Sequence, residues 1–222
     1  MVYFEKSQPE PSSLANEKVK KSGTYRTSDV IERISEDFCD KCYICEQKKP
    51  TSINVEHFIP HKDDNNLKFD WNNLFYSCGH CNNVKLAKEE FDDILNCTIK
   101  TDGVDTSIIY KFNPFPKEKP TFEINVSSPK VNNTIALLDK VFNGEHTSLK
   151  KLESINLNDL LLKSIKEFQE ILLGYYDYDK DESYLRKIKF HLNKSSSFTA
   201  FKRHIIRSNN DLNNEFGQYI ID

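Results

Sequence analysis

The chain has no apolar run long enough to cross a bilayer as a helix, and no N-terminal leader with a charged start and an apolar centre. It has no internal repeat. It also has no surplus of positive charge: 31 Lys and Arg stand against 34 Asp and Glu, for a formal net charge of -3. The first absences argue against a membrane helix and against export, so the expected location is the cytoplasm. There thiols stay reduced, and cysteines serve metal sites more readily than disulfides. The charge balance does not announce a nucleic-acid binder, so any contact with a polyanion must come from a local basic face. What the 222 residues do have is enough apolar material for a core, with 37% hydrophobic and 12% aromatic residues. The length suits one large domain or two small ones.

The informative stretch is residues 42–88. It opens with Cys42-x-x-Cys45 and closes with Cys78-x-x-Cys81. A CxxC turn can aim two sulfurs at one ion, and two such turns supply the four thiolates of a structural zinc site. The gap between the pairs is longer than in a compact zinc ribbon, so an insert must loop out from the clip. Two disulfides would need an oxidising compartment, and a redox motif usually comes as a single CxxC. Cys39 offers an overlapping pair with Cys42. Cys42 and Cys45 are preferred, because Cys39 falls where the preceding helix should end. Cys97 has no partner at a useful spacing and reads as a small buried apolar residue.

Within the insert, Ile53-Asn54-Val55-Glu56-His57 is β-branched enough for a strand, which Pro60 ends. His61 to Asp70 reads as a polar loop, and Leu74-Phe75-Tyr76 as a second strand pairing back. From Gly79 through Lys88 the pattern is helical. Glu56 and His57 then lie at a strand end, and Asn82 and Lys85 share one face of the helix.

Glu56-His57, Asn73 and Asn82, in this order and flanked by two CxxC pairs, resemble the HNH, or ββα-metal, nucleases. The resemblance implies metal-dependent hydrolysis of phosphodiester bonds. On it, His57 is the general base. Glu56 and Asn82 are oxygen ligands to a catalytic Mg²⁺ or Mn²⁺. Asn73 holds the loop and orients His57. Lys85 contacts a substrate phosphate, and His61 either does the same or caps its own loop. Two positions depart from the family pattern: Glu56 stands where Asp is usual, and Asn82 where His is usual. His80, between the last two cysteines, reads as an exposed knuckle residue. The competing reading is a zinc-bound module that binds DNA or protein without cutting, with His57 a satisfied strand histidine.

The expected fold class is α+β: a zinc-clipped ββα-metal core with an added β-hairpin and a helical C-terminal region. Residues 1–27 read as a mostly extended arm, residues 28–130 as the nuclease domain, and residues 131–222 as a helical domain for DNA holding or partner docking. The first helix has Ser28 as its N-cap, and Val30, Ile31, Ile34 and Phe38 form its apolar face. Strands are expected over 107–112 and 121–126. Helices follow from a cap at Asn132 or Asn133 to a stop at Gly144, from Thr147 to Leu173 with a turn at Gly174, over 183–192, and over 197–207.

Between Arg186 and Arg207 lie seven Lys or Arg and no acid. Lys202 and Arg203 in this run read as a phosphate-backbone track, with a solvated face or an acidic partner's surface as the alternative. Phe4-Glu5-Lys6-Ser7, the approach from Asp37 to Glu46, and Phe198-Thr199-Ala200-Phe201-Lys202-Arg203 resemble, more loosely, the HNH nucleases paired with ATPases in bacterial anti-phage systems of the Septu and retron type. That resemblance implies a bacterial source and an ATPase partner; the expected substrate of the nuclease is DNA.

Overall fold

The Phe4 ring lies 5.1 Å from Phe38, which lies 5.4 Å from Phe75. Three distant parts of the chain thus meet in one apolar cluster. The computed structural model describes residues 1–86, 88–145 and 147–221. The arm is not merely extended. Met1, Val2 and Phe4 are buried, the Phe4 amide donates to the Cys97 carbonyl at 2.8 Å, and Ser12–Lys18 forms a short helix, α1. Helix α2, Ser28–Asp37, follows. The Ser13 hydroxyl joins the two by donating to Asp29 at 2.7 Å. The residue at the N-cap of α2 is Thr27 rather than Ser28. Beyond α2, Cys39 and Asp40 adopt left-handed conformations (φ 53 and 57), which turns the chain sharply out of the helix.

Strands β1, Ile53–His57, and β2, Leu74–Cys78, pair antiparallel, with Val55 opposite Tyr76 and His57 opposite Leu74. The connection between them is more ordered than its polarity suggests. It contains one helical turn, α3 (Asn65–Lys68), capped by Asp64, and a tight turn at Trp71–Asn73 capped by Asp70. Asx caps account for both, since each carboxylate accepts the amide two residues on. Helix α4, Gly79–Lys85, then packs on both strands and ends three residues earlier than its pattern implies.

A hairpin of β3 (Ile108–Lys111) and β4 (Thr121–Ile124) comes next. Helix α5, Pro129–Asn143, starts earlier than expected, because Ser128 caps it and Pro129 sits in its first turn. Helix α6 is Ser148–Asp177, α7 Glu182–Leu192, α8 Thr199–Arg207 and α9 Asn210–Phe216. Gly174 does not end α6. The helix runs through it because the Tyr184 ring lies against its backbone, so close that an added Cβ would stand 2.2 Å from the ring. Helix α9, capped by Asn209, was not foreseen. One apolar cluster draws on the arm, both strands of the first pair, α5 and the first half of α6. A second joins the far end of α6 to α7, α8 and α9. Among the described residues, no helix is long and apolar enough to cross a membrane.

Candidate metal centre and candidate active site

The four cysteines of the two CxxC pairs converge. All are buried, and their sulfurs lie within 4.8 Å of one another. Cys39 is not part of this cluster and lines a separate surface pocket, and Cys97 is buried elsewhere as a free thiol. Burial holds the Cys45 and Cys81 thiols well above their ordinary range. Burial works the same way on Cys42, but there hydrogen bonds from the other three thiols prevail and hold it well below. Four sulfurs in a dry site cannot all ionise without a cation among them, so the donor set fits a thiophilic metal. The knuckle is bolted in place from outside. The Lys41 ammonium donates to the Lys194 carbonyl at 2.7 Å and to Thr199, Lys48 donates to the Ser195 carbonyl, and Glu46 accepts the Ala200 amide.

On the other side of β1 lies a cleft of about 240 Å³, lined by Tyr25, Arg26, Glu56, His57, His61 and Asn82 among others. His57 closes β1. Its Nε2 faces the Lys68 carbonyl at 3.0 Å. A carbonyl only accepts, so Nε2 carries the proton and Nδ1 keeps its lone pair. The imidazole is gripped edge-on by Tyr25 and His61, with ring centres 4.4 and 4.6 Å away. Burial lowers its pKa, and the charges of His61, Arg26 and Lys68 add to the effect, against the opposing bond that the ring donates to the Lys68 carbonyl. The ring is therefore a neutral acceptor at neutral pH.

Asn73 fixes the turn after β1. Its Oδ1 accepts the Ile59 amide at 2.7 Å, and its Nδ2 donates to the Ile59 and Leu67 carbonyls. Its own carbonyl accepts the Phe58 amide at 2.9 Å. The residues following His57, and the segment leading to Lys68, are thereby tied to one side chain. Glu56 is only 4% exposed. Its Oε1 receives Tyr43 Oη at 3.1 Å and the Lys85 ammonium at 3.2 Å, while its Oε2 is buried without a hydrogen-bond partner. Burial raises its pKa, against the pull of Lys85. Asn82 is half-buried on α4 and lines the same cleft.

Residues 39–88, which carry both the cysteine cluster and this cleft, match a family model described as HNH endonuclease. In that stretch the chain is similar to HNH endonucleases. None of the curated proteins matches the chain.

Three charged residues expected from the sequence to contact substrate phosphates lie elsewhere. Lys85 is 1% exposed, and its ammonium is spent on Glu56 and on the Phe58 carbonyl at 2.8 Å. Lys202 is 1% exposed and donates to Ser196 and to the Ser197 carbonyl. Arg203 is fully buried, paired with Asp105 at 2.8 Å and bonded to the Leu192 and Ile221 carbonyls. None of the three is placed to touch a substrate phosphate. The basic run is split instead: Arg186, Lys187 and Lys189 are exposed on α7, while Lys202 and Arg203 face inward. The sequence pattern misled because buried cations with internal partners read, residue by residue, like a solvated basic face.

His80 is likewise no exposed knuckle residue. Its Nδ1 lies 2.9 Å from Glu153 and its Nε2 2.8 Å from the Val141 carbonyl, which ties the second CxxC to α5 and α6. His61 accepts the Asp63 amide at 3.1 Å, so it caps its own loop while standing against His57. Tyr25 and Arg26 were missed as cleft residues. They lie outside the motif, and only tertiary packing brings them to it.

Proposed function

We propose that the chain is a divalent-metal-dependent endonuclease that hydrolyses phosphodiester bonds in DNA. The observation that carries this reading is the state of His57. Its Nε2 proton is pinned by Lys68, and its Nδ1 lone pair remains available in a cleft shared with the unpartnered Glu56 Oε2 and with Asn82. A water held against Nδ1 gives up its proton as its oxygen attacks phosphorus, and the P–O bond to the leaving oxygen breaks. Glu56 Oε2 and the Asn82 amide oxygen are hard ligands that would hold Mg²⁺ or Mn²⁺. When bound there, that ion supplies counter-charge for the leaving oxygen. Asn73 keeps the imidazole in register, and Lys85 neutralises Glu56 at its Oε1. The four cysteines would hold Zn²⁺ in a structural role.

The wider setting in this reading is a bacterial anti-phage system with an ATPase partner, supported by the looser resemblance at residues 4–7, 37–46 and 198–203. In this chain Phe4 and the 198–203 segment are buried parts of the framework around the knuckle. At Phe4 and residues 198–203 the resemblance therefore bears on architecture, and a partner would dock outside those buried residues.

The reading is tested by incubating the protein with plasmid DNA while Mg²⁺ or Mn²⁺ is titrated. Cleavage should require the added ion. Glu56→Ala and Asn82→Ala should each need a higher concentration of it, because each removes one ligand. Cleavage indifferent to added metal and to both substitutions would remove the catalytic ion from this cleft.

A further inference from the structure

The proposed reaction leaves one requirement unmet among the residues of the motif itself. A phosphodiester carries a negative charge that grows on its non-bridging oxygens during attack, and a site that cleaves it aims cationic donors there. Lys85, the cation the motif offers, is enclosed and spent on Glu56 and Phe58. Two exposed cations line the cleft instead, Lys62 from the loop after β1 and Arg26 from the segment leading into α2, and Arg26 alone of the two stands over an aromatic ring that also touches His57.

Arg26 meets the need. It lies in the segment leading into α2, is exposed, and lines the cleft with Glu56, His57 and Asn82. Its guanidinium has no acidic partner among the described residues. It stands over the Tyr25 ring, 5.2 Å from the ring centre, and the same ring presses edge-on against His57 at 4.4 Å. One aromatic side chain thus sets both the guanidinium and the imidazole. Arg26 is also close enough for its charge to lower the His57 pKa. A planar guanidinium offers paired donors that match two phosphate oxygens, which a lysine cannot do.

We infer that Arg26 holds non-bridging oxygens of the scissile phosphodiester, with Tyr25 as the shelf that positions it. The arm before α2 is then part of the active cleft rather than packing alone. This assignment rests on the proposed hydrolase activity.

The test is steady-state cleavage of plasmid DNA in Mg²⁺ by the full chain, comparing wild type with Arg26→Ala, Arg26→Gln and Arg26→Lys. Metal content and melting temperature serve as fold controls, and the isosteric glutamine covers any local disturbance by alanine. A contact to the reacting phosphate predicts a fall in kcat on the order of 10²-fold in the alanine and glutamine variants, with KM little changed and a partial recovery in the lysine variant. A rise in KM with kcat intact would overturn the assignment, because it would mark a contact to flanking backbone. Unchanged kinetics would overturn it too. A wild-type protein that cuts no DNA with either Mg²⁺ or Mn²⁺ would instead bring down the hydrolase reading, and this assignment with it.

Discussion

Glu56 and Lys85 form a buried pair, with Nζ 3.2 Å from Oε1 and neither residue more than 4% exposed. The pair turns a lysine that looked like a phosphate ligand into the partner of the carboxylate. It also leaves Oε2 buried without a hydrogen-bond partner, the oxygen proposed above as a metal ligand. Removing one member strands the other charge in the interior. Lys85→Met is therefore expected to destabilise the fold by about 3–5 kcal/mol. Adding Glu56→Gln to it should recover much of that loss. Urea unfolding of the two variants checks both numbers.

Arg203 makes the same kind of prediction against a different alternative. Its guanidinium satisfies Asp105 and two carbonyls with no exposure to solvent. Arg203→Ala should lower stability by about 3 kcal/mol, through the lost buried pair and the Leu192 and Ile221 carbonyls left without their donor, while Arg207, 3.1 Å from Asp105, keeps that carboxylate partly paired. In protein that remains folded, the salt dependence of DNA binding should not change, since no phosphate contact is lost. A shallower salt slope with stability intact would return Arg203 to the DNA-binding surface.

The cysteine cluster makes its own prediction. The four sulfurs within 4.8 Å should hold one Zn²⁺ per chain, as measured by elemental analysis. Stripping it with a strong chelator should cost the fold on the order of 10 kcal/mol, enough to melt the β1–β2–α4 unit. Folded protein free of zinc, with the same circular dichroism spectrum, would contradict the assignment.

Much of this was readable in advance where the signal is local. The β1 span and the convergence of the cysteines at 42, 45, 78 and 81 follow from spacing and side-chain chemistry within one short stretch, and the loop-holding role of Asn73 from the resemblance to the HNH nucleases. Cys39 also behaves as its position suggests, in a left-handed turn just past α2. What the sequence hid is what long-range packing decides. The internal partners of Lys202 and Arg203 are invisible in a run of basic residues. Tyr184, which lets α6 run through Gly174, lies ten residues further on, beyond a turn. Arg26 reaches the cleft only because α2 packs against β2. Burial reverses the meaning of a charged residue, and one-dimensional patterns do not report burial.

Acid stability offers a prediction away from the metal sites. His191 is buried beside Phe168, with its Nδ1 unpartnered, and burial together with the Lys202 charge drives its pKa down to about 4. An unfolded histidine titrates near 6.5, so between there and pH 4 the unfolded chain binds more protons. Stability should fall as pH drops through that window and level off below it. His191→Phe should flatten this part of the curve of melting temperature against pH. An unchanged slope in the variant would place the proton uptake elsewhere.

The most direct test of the whole account is plasmid cleavage in Mg²⁺ by His57→Ala beside wild type, with equal metal content and equal melting temperature established first. Because His57 is assigned as the base that takes the water's proton, cleavage should fall by about 10²–10⁴-fold while the fold and the cysteine-bound metal stay intact. Cleavage at wild-type rate in the folded variant would contradict the account and put the chemistry outside this cleft.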